Sequence, residues 1–475
     1  MKRGSYIVFI LFTVFVFFPL LTTCHRTEKK QVVHNFDYEQ IRNRGRLIAI
    51  TDFNSMNYFI YKGQPLGYQY ELLQEFSNHI GLPIQVIVQN DIHEAIHMLN
   101  TGEADLIAMN LTVTNERMKV VSFSVPITST RQVLVQRKPG ISGNSGMVLA
   151  TPEFVKTPAA LAHKLIYVQK GSSYTDRLRN LSEETGAGIK IKEVPSTSED
   201  LVEQVARGDI DYTVCDENIA RVAAMYYPNL DYSVPVSLEQ NLAWAARKDS
   251  PELLGILNSW LGSFTRTTRF SVIYRKYFDN ARTSSIVNNE YFVLRTGRIS
   301  QYDELIQKYS AQINWDWTLL ASLIYQESHF NPNARSWAGA YGLMQLMPSV
   351  LDQFGIDTLA SPEKNIEAGI KLIAYLDQQF DPSIPKDDRI KFILAAYNIG
   401  LGHVWDAQRL AEKYGQDPKK WDNVEYFLIQ KKYPRYYLDP VVKNGACKGD
   451  LAVQYVKDVL HLYHHYSNII ASLEK

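Results

Sequence analysis

The chain has 475 residues, 50 basic and 50 acidic side chains, a formal net charge of zero and 45% hydrophobic residues. This length provides material for about three domains of ordinary size, or for two when one of them has two lobes. The balanced charge offers no electrostatic case for nucleic-acid binding.

The first 24 residues have the pattern of an export signal. Two basic residues precede an almost unbroken apolar run over residues 6–21, which is short for a membrane-spanning helix. Cys24 follows, and its position resembles the lipobox of bacterial lipoproteins, although Thr23 departs from the small residue usual there. The resemblance implies a lipid anchor on Cys24 at the periplasmic face of the outer membrane, with residues 25–44 as a tether. An uncleaved anchor and simple secretion are the alternatives.

Residues 45–280 have the alternating pattern of an α/β domain. Residues 46–51 and 84–88 predict strands, and residues 68–80 predict a helix that ends near Gly81. Together these three elements form a βαβ unit.

An internal echo predicts that this domain has two similar lobes. Residues 99–106 and 205–212 each contain a helix end, a glycine, an acidic residue and an aspartate before an apolar strand. Cys215 and Cys447 lie in different predicted domains, so a disulfide between them is not expected.

The same region resembles the periplasmic solute-binding proteins of the amino-acid-binding family. The segments that carry the resemblance are Gly63–Leu72, Gly102–Asp105, Thr112–Arg117, Phe123–Pro126 and Gly171–Tyr174. On that match Arg117 clamps a ligand carboxylate, for which its planar guanidinium is suited. The match also implies that Thr112, Ser172 and Ser173 add hydroxyls and that Asp216 meets an ammonium. Alternatively, the serines are turn residues and the aspartate is a helix cap.

We hypothesise that this domain senses a ligand, an amino acid or a muropeptide, because Arg117 and Asp216 suit a zwitterion. Tyr58 and Phe59 either line its cleft or belong to its core. Residues 281–300 are expected to connect it to a second domain at residues 301–475.

Glu327 is the most informative residue of the second domain. Residues three, four and seven positions before it are apolar, so at helical spacing its carboxyl continues a buried stripe. Asn314 and Asp316 offer capping oxygens, and Asn331 before a proline ends the helix, which places Glu327 in its last turn. Burial and the helix dipole both raise the pKa of a carboxyl there, which suits a general acid.

Two further segments contain residues suited to binding a substrate. Gly339 and Gly342 permit a turn with close approach of a ligand, beside Met344 and Gln345. Another amphipathic helix ends with Tyr397 and Asn398 before a glycine.

These segments resemble the three main motifs of the lytic transglycosylase domain, a lysozyme-like fold that cleaves peptidoglycan. The matching residues are Glu327 and Ser328, Gly342–Gln345 with Pro348, and Ala395–Asn398 with Gly400. A fourth motif is partly present at Gly449–Val456, and it carries Tyr455 over as a substrate-binding residue. The resemblance implies cleavage between N-acetylmuramic acid and N-acetylglucosamine with formation of 1,6-anhydromuramoyl ends.

Glu327 is the only acidic residue in the three main motifs, whereas ordinary glycosidases use two carboxylates. This fits the implied mechanism, in which one glutamate acts as acid and then as base. We expect Tyr397 to donate a hydrogen bond to the Glu327 carboxyl. Ser328, Gln345 and Asn398 are expected to hold sugar hydroxyls or N-acetyl groups. Met344 is expected to form a wall of the substrate site, although core filling is common for such a residue.

The predicted fold class is therefore multidomain: an α/β two-lobed periplasmic-binding-protein fold followed by a mainly α, lysozyme-like domain. The order of the domains resembles the F-type membrane-bound lytic transglycosylases. No cofactor or metal is expected, because His461, His464 and His465 fit the solvated face of a C-terminal helix better than a metal site. Alternatives are an exported amino-acid or peptide receptor with a wall-binding module, and a hydrolytic muramidase.

Overall fold

The computed structural model of the protein describes residues 36–139, 153–279, 292–354 and 361–473. In these residues two α/β lobes precede a region built from helices, which confirms the predicted fold class. The export signal, Cys24, most of the tether and residues 281–291 of the expected connection lie outside the described residues.

The strands form one sheet in each lobe and a separate hairpin. They are β1 Leu47–Thr51, β2 Phe59–Tyr61, β3 Gln64–Leu66, β4 Ile84–Val88, β5 Leu106–Thr112, β6 Ser122–Phe123, β7 Thr128–Thr130, β8 Gln132–Arg137, β9 Leu165–Gln169, β10 Lys190–Val194, β11 Thr213–Asp216, β12 Leu230–Pro235 and β13 Gln240–Ala246. The first lobe has the strand order β4-β1-β5-β13-β6, with β7 beside β13, and the second lobe has the order β10-β9-β11-β8-β12. The hairpin pairs β2 with β3.

The α-helices are α1 Tyr38–Arg44, α2 Tyr68–Ile80, α3 Ile92–Thr101, α4 Asn115–Met118, α5 Tyr174–Thr185, α6 Ser198–Arg207, α7 Glu217–Tyr226, α8 Pro251–Phe264, α9 Thr268–Phe278, α10 Val293–Thr296, α11 Asp303–Ser310, α12 Trp317–Ser328, α13 Pro348–Phe354, α14 Pro362–Gln378, α15 Lys386–Ile399, α16 Leu401–Lys413, α17 Trp421–Gln430, α18 Pro434–Tyr437 and α19 Gly449–Leu473. None of the helices within the described ranges is both long and apolar enough to span a membrane.

The predicted βαβ unit is present. Strands β1 and β4 pair in parallel in the register Leu47 to Ile84, and α2 connects them. Helix α2 ends at Gly81, whose φ of 67° is left-handed and therefore favours glycine.

The two similar sequence segments, residues 99–106 and 205–212, also have similar structures. Gly102 and Gly208 end helices α3 and α6 with φ angles of 83° and 94°. The aspartate three positions after each glycine forms an ion pair with an arginine. Asp105 pairs with Arg44, and Asp211 pairs with Arg137. The two lobes thus share one local structure, in which a glycine ends a helix and an aspartate before the next strand pairs with an arginine.

The two lobes are joined by two chain crossings, one between β7 and β8 and one between β12 and β13. Side chains link the two crossings, since the Gln132 amide donates to Gln240 Oε1 over 2.9 Å. The carboxyl ends of β1, β5, β9 and β11 face the cleft between the lobes, which is where ligands bind in such sheets.

In the helical region, α12 packs against α19, and α19 also contacts α15 and α17. Asp316 caps α12 by accepting a hydrogen bond from the Thr318 N–H over 2.9 Å. Asn314 does not cap this helix as expected, because it has a φ of 54° and ends the preceding 3-10 turn.

The hydrophobic cores do not follow the order of the two predicted domains along the chain. One continuous core joins the first lobe to the helical region, whereas the second lobe has a core of its own. Residues Phe292 and Val293 of the expected connection are buried in the shared core, and Phe292 pairs with Tyr61 of β2. The first lobe and the helical region therefore pack as one body. The second lobe is joined to it by the two crossings and also contributes Val222 of α7 to the shared core.

Candidate active site

Glu327 lies half-buried in the last turn of α12, as its position in the sequence predicts. The hydroxyl of Tyr455, on α19, donates a hydrogen bond to Glu327 Oε1. Burial raises the pKa of Glu327 to about 7, and the hydrogen bond from Tyr455 opposes that rise. Both the acid and the carboxylate are therefore accessible near neutral pH, which a group that first gives and then takes a proton requires.

The expected hydrogen bond from Tyr397 to Glu327 is wrong, and Tyr455 makes it instead. The Tyr397 hydroxyl donates to the main-chain carbonyl of Met344 over 2.6 Å. The reason lies in the packing of the helices, because α19 lies directly against α12 and so places Tyr455 opposite the carboxyl. Burial and the negative charge of Glu327 raise the pKa of both tyrosines, so both remain hydrogen-bond donors.

The glycine-rich segment forms a tight loop that amide groups hold together. Gly342 has a φ of 85°, and a Cβ there would lie 2.4 Å from Asn365 Nδ2. Asn365 accepts from the Met344 N–H over 2.8 Å and donates to the Tyr341 carbonyl over 3.1 Å. The Gln345 amide donates to the carbonyls of Ala334 and Gly342, each over 2.9 Å.

Asn365 is a residue that sequence reasoning missed. It is buried, with 1% of its surface exposed, and lies on α14, some twenty residues beyond the motif that it supports. Its signal is an asparagine in the apolar stripe that Ile366, Gly369 and Ile370 form on the same helix. An amide at such a position needs buried hydrogen-bond partners, and the loop supplies them.

Two expected sugar contacts have other roles in this structure. The Met344 side chain is fully buried, and it packs so closely on α14 that a Cβ at Gly369 would lie 2.1 Å from its sulfur. Its expected place in the wall of the substrate site is therefore wrong, and it fills the core. The Ser328 hydroxyl is buried and donates to the Ile324 carbonyl over 3.1 Å. Asn398 is exposed beside Tyr397, and its expected contact with a sugar stays a prediction.

The five residues expected to bind a regulatory ligand line one cavity between the lobes. Arg117 is buried, and its guanidinium donates to the Thr112 carbonyl over 3.0 Å and to the Gly171 carbonyl over 3.2 Å. The Ser173 hydroxyl donates to the Thr112 hydroxyl over 3.2 Å. Since Gly171 and Ser173 belong to the second lobe, these hydrogen bonds join the two lobes across the cleft.

The alternatives for Ser172 and Asp216 have different outcomes. The Ser172 hydroxyl donates to the Gln169 carbonyl over 2.6 Å, as a turn residue does. Asp216 occupies the position before α7 but makes no capping hydrogen bond. One of its oxygens is buried without a partner. Burial raises the pKa of Asp216 to about 7, and Tyr174 and Arg117 oppose that rise.

Two acidic residues in the cavity were missed from the sequence, Asp52 and Glu199. Each lies outside the segments that carry the family resemblance, and Glu199 comes from the first turn of α6. Tyr58 and Phe59 belong to the core and are not among the cavity residues.

The end of α19 packs against the first lobe rather than facing solvent as expected. His465 is buried and hydrogen-bonded to the Tyr58 hydroxyl, and its ring lies 3.0 Å from His461 Nε2. Tyr466 donates to the Gly63 carbonyl over 2.5 Å, and only His464 of the three histidines is exposed. Across the residues that the structure describes, no group of three or more His, Cys, Asp or Glu side chains is placed to hold a metal ion.

Comparison with known proteins gives two family matches. The model described as bacterial extracellular solute-binding proteins, family 3, matches residues 46–280, and the transglycosylase SLT domain matches residues 304–420.

Some relatives match this chain over most of its length, including both matched domains. A protein of Desulfosudis oleivorans named membrane-bound lytic murein transglycosylase F is 34% identical and covers 89% of this chain and 90% of its own length. A protein of the same name from Aeromonas salmonicida is 29% identical, covering 90% of this chain and 83% of its own length. Among solved structures, holo ArgBP from T. maritima is 26% identical with a TM-score of 0.42, covering 51% of this chain and 99% of that chain.

Proposed function

The chain belongs to the membrane-bound lytic murein transglycosylase F family, and on this premise we propose that Glu327 catalyses its reaction as acid and then as base. The substrate is peptidoglycan, and the bond cleaved is the β-1,4 bond between N-acetylmuramic acid and N-acetylglucosamine. The products carry 1,6-anhydromuramoyl ends. The observation that carries the proposal is the half-buried Glu327 carboxyl, whose pKa is about 7 and which Tyr455 contacts.

The reaction uses one carboxyl twice. Protonated Glu327 gives its proton to the oxygen that leaves with N-acetylglucosamine as the bond to the anomeric carbon breaks. The resulting carboxylate, which the Tyr455 hydroxyl stabilises, then takes the proton of the 6-hydroxyl of N-acetylmuramic acid. That oxygen bonds to the anomeric carbon and closes the anhydro ring. Glu327 ends protonated, and no water is consumed.

A hydrolytic muramidase is the less favoured alternative, because it requires a second carboxylate or a positioned water. The pKa of Glu327 is set by its burial and by Tyr455, and within the described ranges no other acid contributes to it. A receptor with a wall-binding module is also less favoured. Such a module has no need of a carboxyl held at an elevated pKa, since that costs stability.

Mass spectrometry of digested peptidoglycan distinguishes these three functions. Anhydro ends support the transglycosylase, reducing ends support the hydrolase, and an absence of products supports the receptor. Glu327→Gln keeps the shape of the side chain but removes its proton transfer, so cleavage should disappear. Glu304→Gln is the matched control, because Glu304 lies on α11 with an exposed side chain. Retained cleavage by Glu327→Gln would refute the catalytic assignment.

We further propose that a ligand in the cleft between the lobes regulates this activity. Cleft closure moves the second lobe relative to the body formed by the first lobe and the helical region, which share one core. A ligand changes this equilibrium only if it binds one state more tightly than the other.

A chain of contacts supports coupling between the cleft and the active site. Asn57 lines the cleft and donates to Asp52 over 2.8 Å, and the next residue, Tyr58, bonds His465 on α19. The same helix carries Tyr455, which contacts Glu327. A shift of Tyr58 would therefore act on a helix that holds the catalytic carboxyl.

The regulatory proposal is tested by measuring turnover of the full chain with and without amino acids and muropeptides. Arg117→Lys keeps the charge but loses the bidentate geometry, so the ratio of the two rates should fall towards one. Binding that leaves turnover unchanged would refute regulation but not catalysis.

The protein acts in the bacterial cell envelope. We propose that Cys24 carries the lipid that anchors it to the outer membrane, and that residues 45–280 and 301–475 are its two domains with residues 281–300 between them. The mass of the mature N-terminus tests the anchor. Lipidated Cys24 as the first residue supports it, whereas retention of residues 1–23 supports an uncleaved anchor.

A further inference from the structure

The cleft between the lobes contains more negative than positive groups. The ionisable side chains that line it include one cation, Arg117, and three carboxyls, Asp52, Glu199 and Asp216. A simple amino acid brings one carboxylate and one ammonium, for which Arg117 and Asp216 suffice. Asp52 and Glu199 are therefore left without a cation when such a ligand binds.

The electrostatic surroundings of Asp216 and Glu199 differ. The charge of Arg117 lowers the pKa of Asp216, whereas the charges of Asp200 and Asp52 raise the pKa of Glu199. Neither Arg117 nor Asp216 is among the groups that determine the pKa of Glu199. The cavity thus has one subsite with both signs of charge and a second subsite with negative charge only.

The second subsite spans both lobes. Glu199 belongs to the second lobe, and its Oε2 accepts a hydrogen bond over 3.0 Å from the Ser55 N–H of the first lobe. Its other oxygen, Oε1, is buried and has no hydrogen-bond partner. Asp52 follows β1 in the first lobe and is bonded by the side-chain amides of Asn54 and Asn57.

Two buried carboxyls without a cation are unfavourable, because desolvation penalises their charged forms. Burial raises the pKa of Asp52 to about 6 and that of Glu199 to about 7. In the part of the chain that the structure describes, neither carboxyl forms an ion pair. A cationic group of the ligand placed between them would satisfy both.

We propose that the cleft selects an amino acid with a second cationic group, such as a diamino acid. Arg117 binds its carboxylate, Asp216 binds its α-ammonium, and Asp52 with Glu199 binds its distal cation. This inference rests on the proposed ligand-sensing function of the cleft and adds the chemical class of the ligand. A neutral amino acid of equal length would leave the second subsite uncompensated, so its affinity should be lower.

Calorimetry with the full chain at neutral pH tests this selectivity. L-lysine and L-norleucine have the same carbon chain, and only lysine has the distal ammonium. We expect lysine to bind at least about tenfold more tightly, the effect of one charge-assisted hydrogen-bonded pair. Equal affinities for lysine and norleucine would overturn the inference.

Two variants locate the effect. Glu199→Gln should weaken lysine binding by about tenfold or more and leave norleucine binding nearly unchanged. Glu203→Gln is the control, because Glu203 lies one turn further along α6 and pairs with Arg207. If Glu199→Gln weakened both ligands equally, the subsite assignment would be refuted.

The proposed functions fail separately from this inference. If neither lysine nor norleucine bound, the inference would fall together with the amino-acid-sensing role. Anhydro ends from the same protein preparation would still establish catalysis. If both bound equally and changed turnover, sensing would stand and only the diamino selectivity would fail.

Discussion

The Tyr455 hydroxyl and the Glu327 carboxyl are hydrogen-bonded although 128 positions separate them in the chain. The bond joins the last turn of α12 to the C-terminal helix α19, whose other end packs against the first lobe. The proton affinity of Glu327, the proposed catalytic group, is thereby tied to the position of a helix that also packs against the first lobe.

Tyr455→Phe should raise the pKa of Glu327 further, because the hydrogen bond from Tyr455 favours the ionised form. We expect a rise of about one unit and a fall in kcat of about tenfold, with little change in KM. The pH–rate profile for peptidoglycan cleavage measures both. Tyr463→Phe, on the same helix, is the control, and an identical profile for the two variants would contradict the role of Tyr455.

Tyr397→Phe should behave differently, because the Tyr397 hydroxyl donates to the Met344 carbonyl of the glycine-rich loop. Its loss loosens the loop that carries Gln345, so we expect KM to rise several-fold with a smaller shift of the pH profile. Steady-state kinetics across pH distinguish the two tyrosines. A larger pH shift for Tyr397→Phe than for Tyr455→Phe would favour the assignment expected from the sequence.

Gly342→Ala should destabilise the protein by about 1–3 kcal/mol, because its φ of 85° disfavours a side chain and its Cβ would clash with Asn365. Denaturant unfolding measures the loss. Gly339→Ala separates the two causes, since Gly339 has a φ of 92° but nothing lies within 4 Å of its added Cβ. A loss as large at Gly339 as at Gly342 would mean that backbone strain alone accounts for it.

The contribution of Glu327 to the stability of the folded protein should fall as the pH rises. Its ordinary pKa is 4.5 and its pKa in the folded protein is about 7, so the folded state binds more protons between these values. The free energy of unfolding contributed by Glu327 therefore falls from pH 4.5 to pH 7. Relative to the parent, Glu327→Gln should gain about 1–3 kcal/mol between pH 5 and pH 8, as chemical unfolding at both values would measure. A difference independent of pH would contradict the elevated pKa.

Tyr58→Phe should reduce the response of turnover to a cleft ligand, because it removes the bond to His465 between the first lobe and α19. The rate ratio with and without ligand measures this response, and calorimetry confirms that the ligand still binds. An unchanged ratio at saturating ligand would exclude this bond from the coupling.

Local patterns predicted much of the fold. The spacing of apolar residues and the glycines at helix ends indicated β1, α2 and β4, and they placed Glu327 in the last turn of a helix. These features depend on residues within a few positions of each other, and short-range sterics and hydrogen bonding determine them. The motifs likewise indicated which residues belong to the cleft and to the glycine-rich loop.

The sequence by itself thus determined the two fold types, the place of Glu327 in the last turn of a helix, and the cleft residues Arg117 and Asp216. Only the tertiary structure decided which tyrosine contacts Glu327, that Met344 fills the core, and that Asp52 and Glu199 meet in one cavity. Each of these depends on elements distant in the chain. Their proximity follows from how whole helices and lobes pack, and no local pattern of residues encodes that packing by itself.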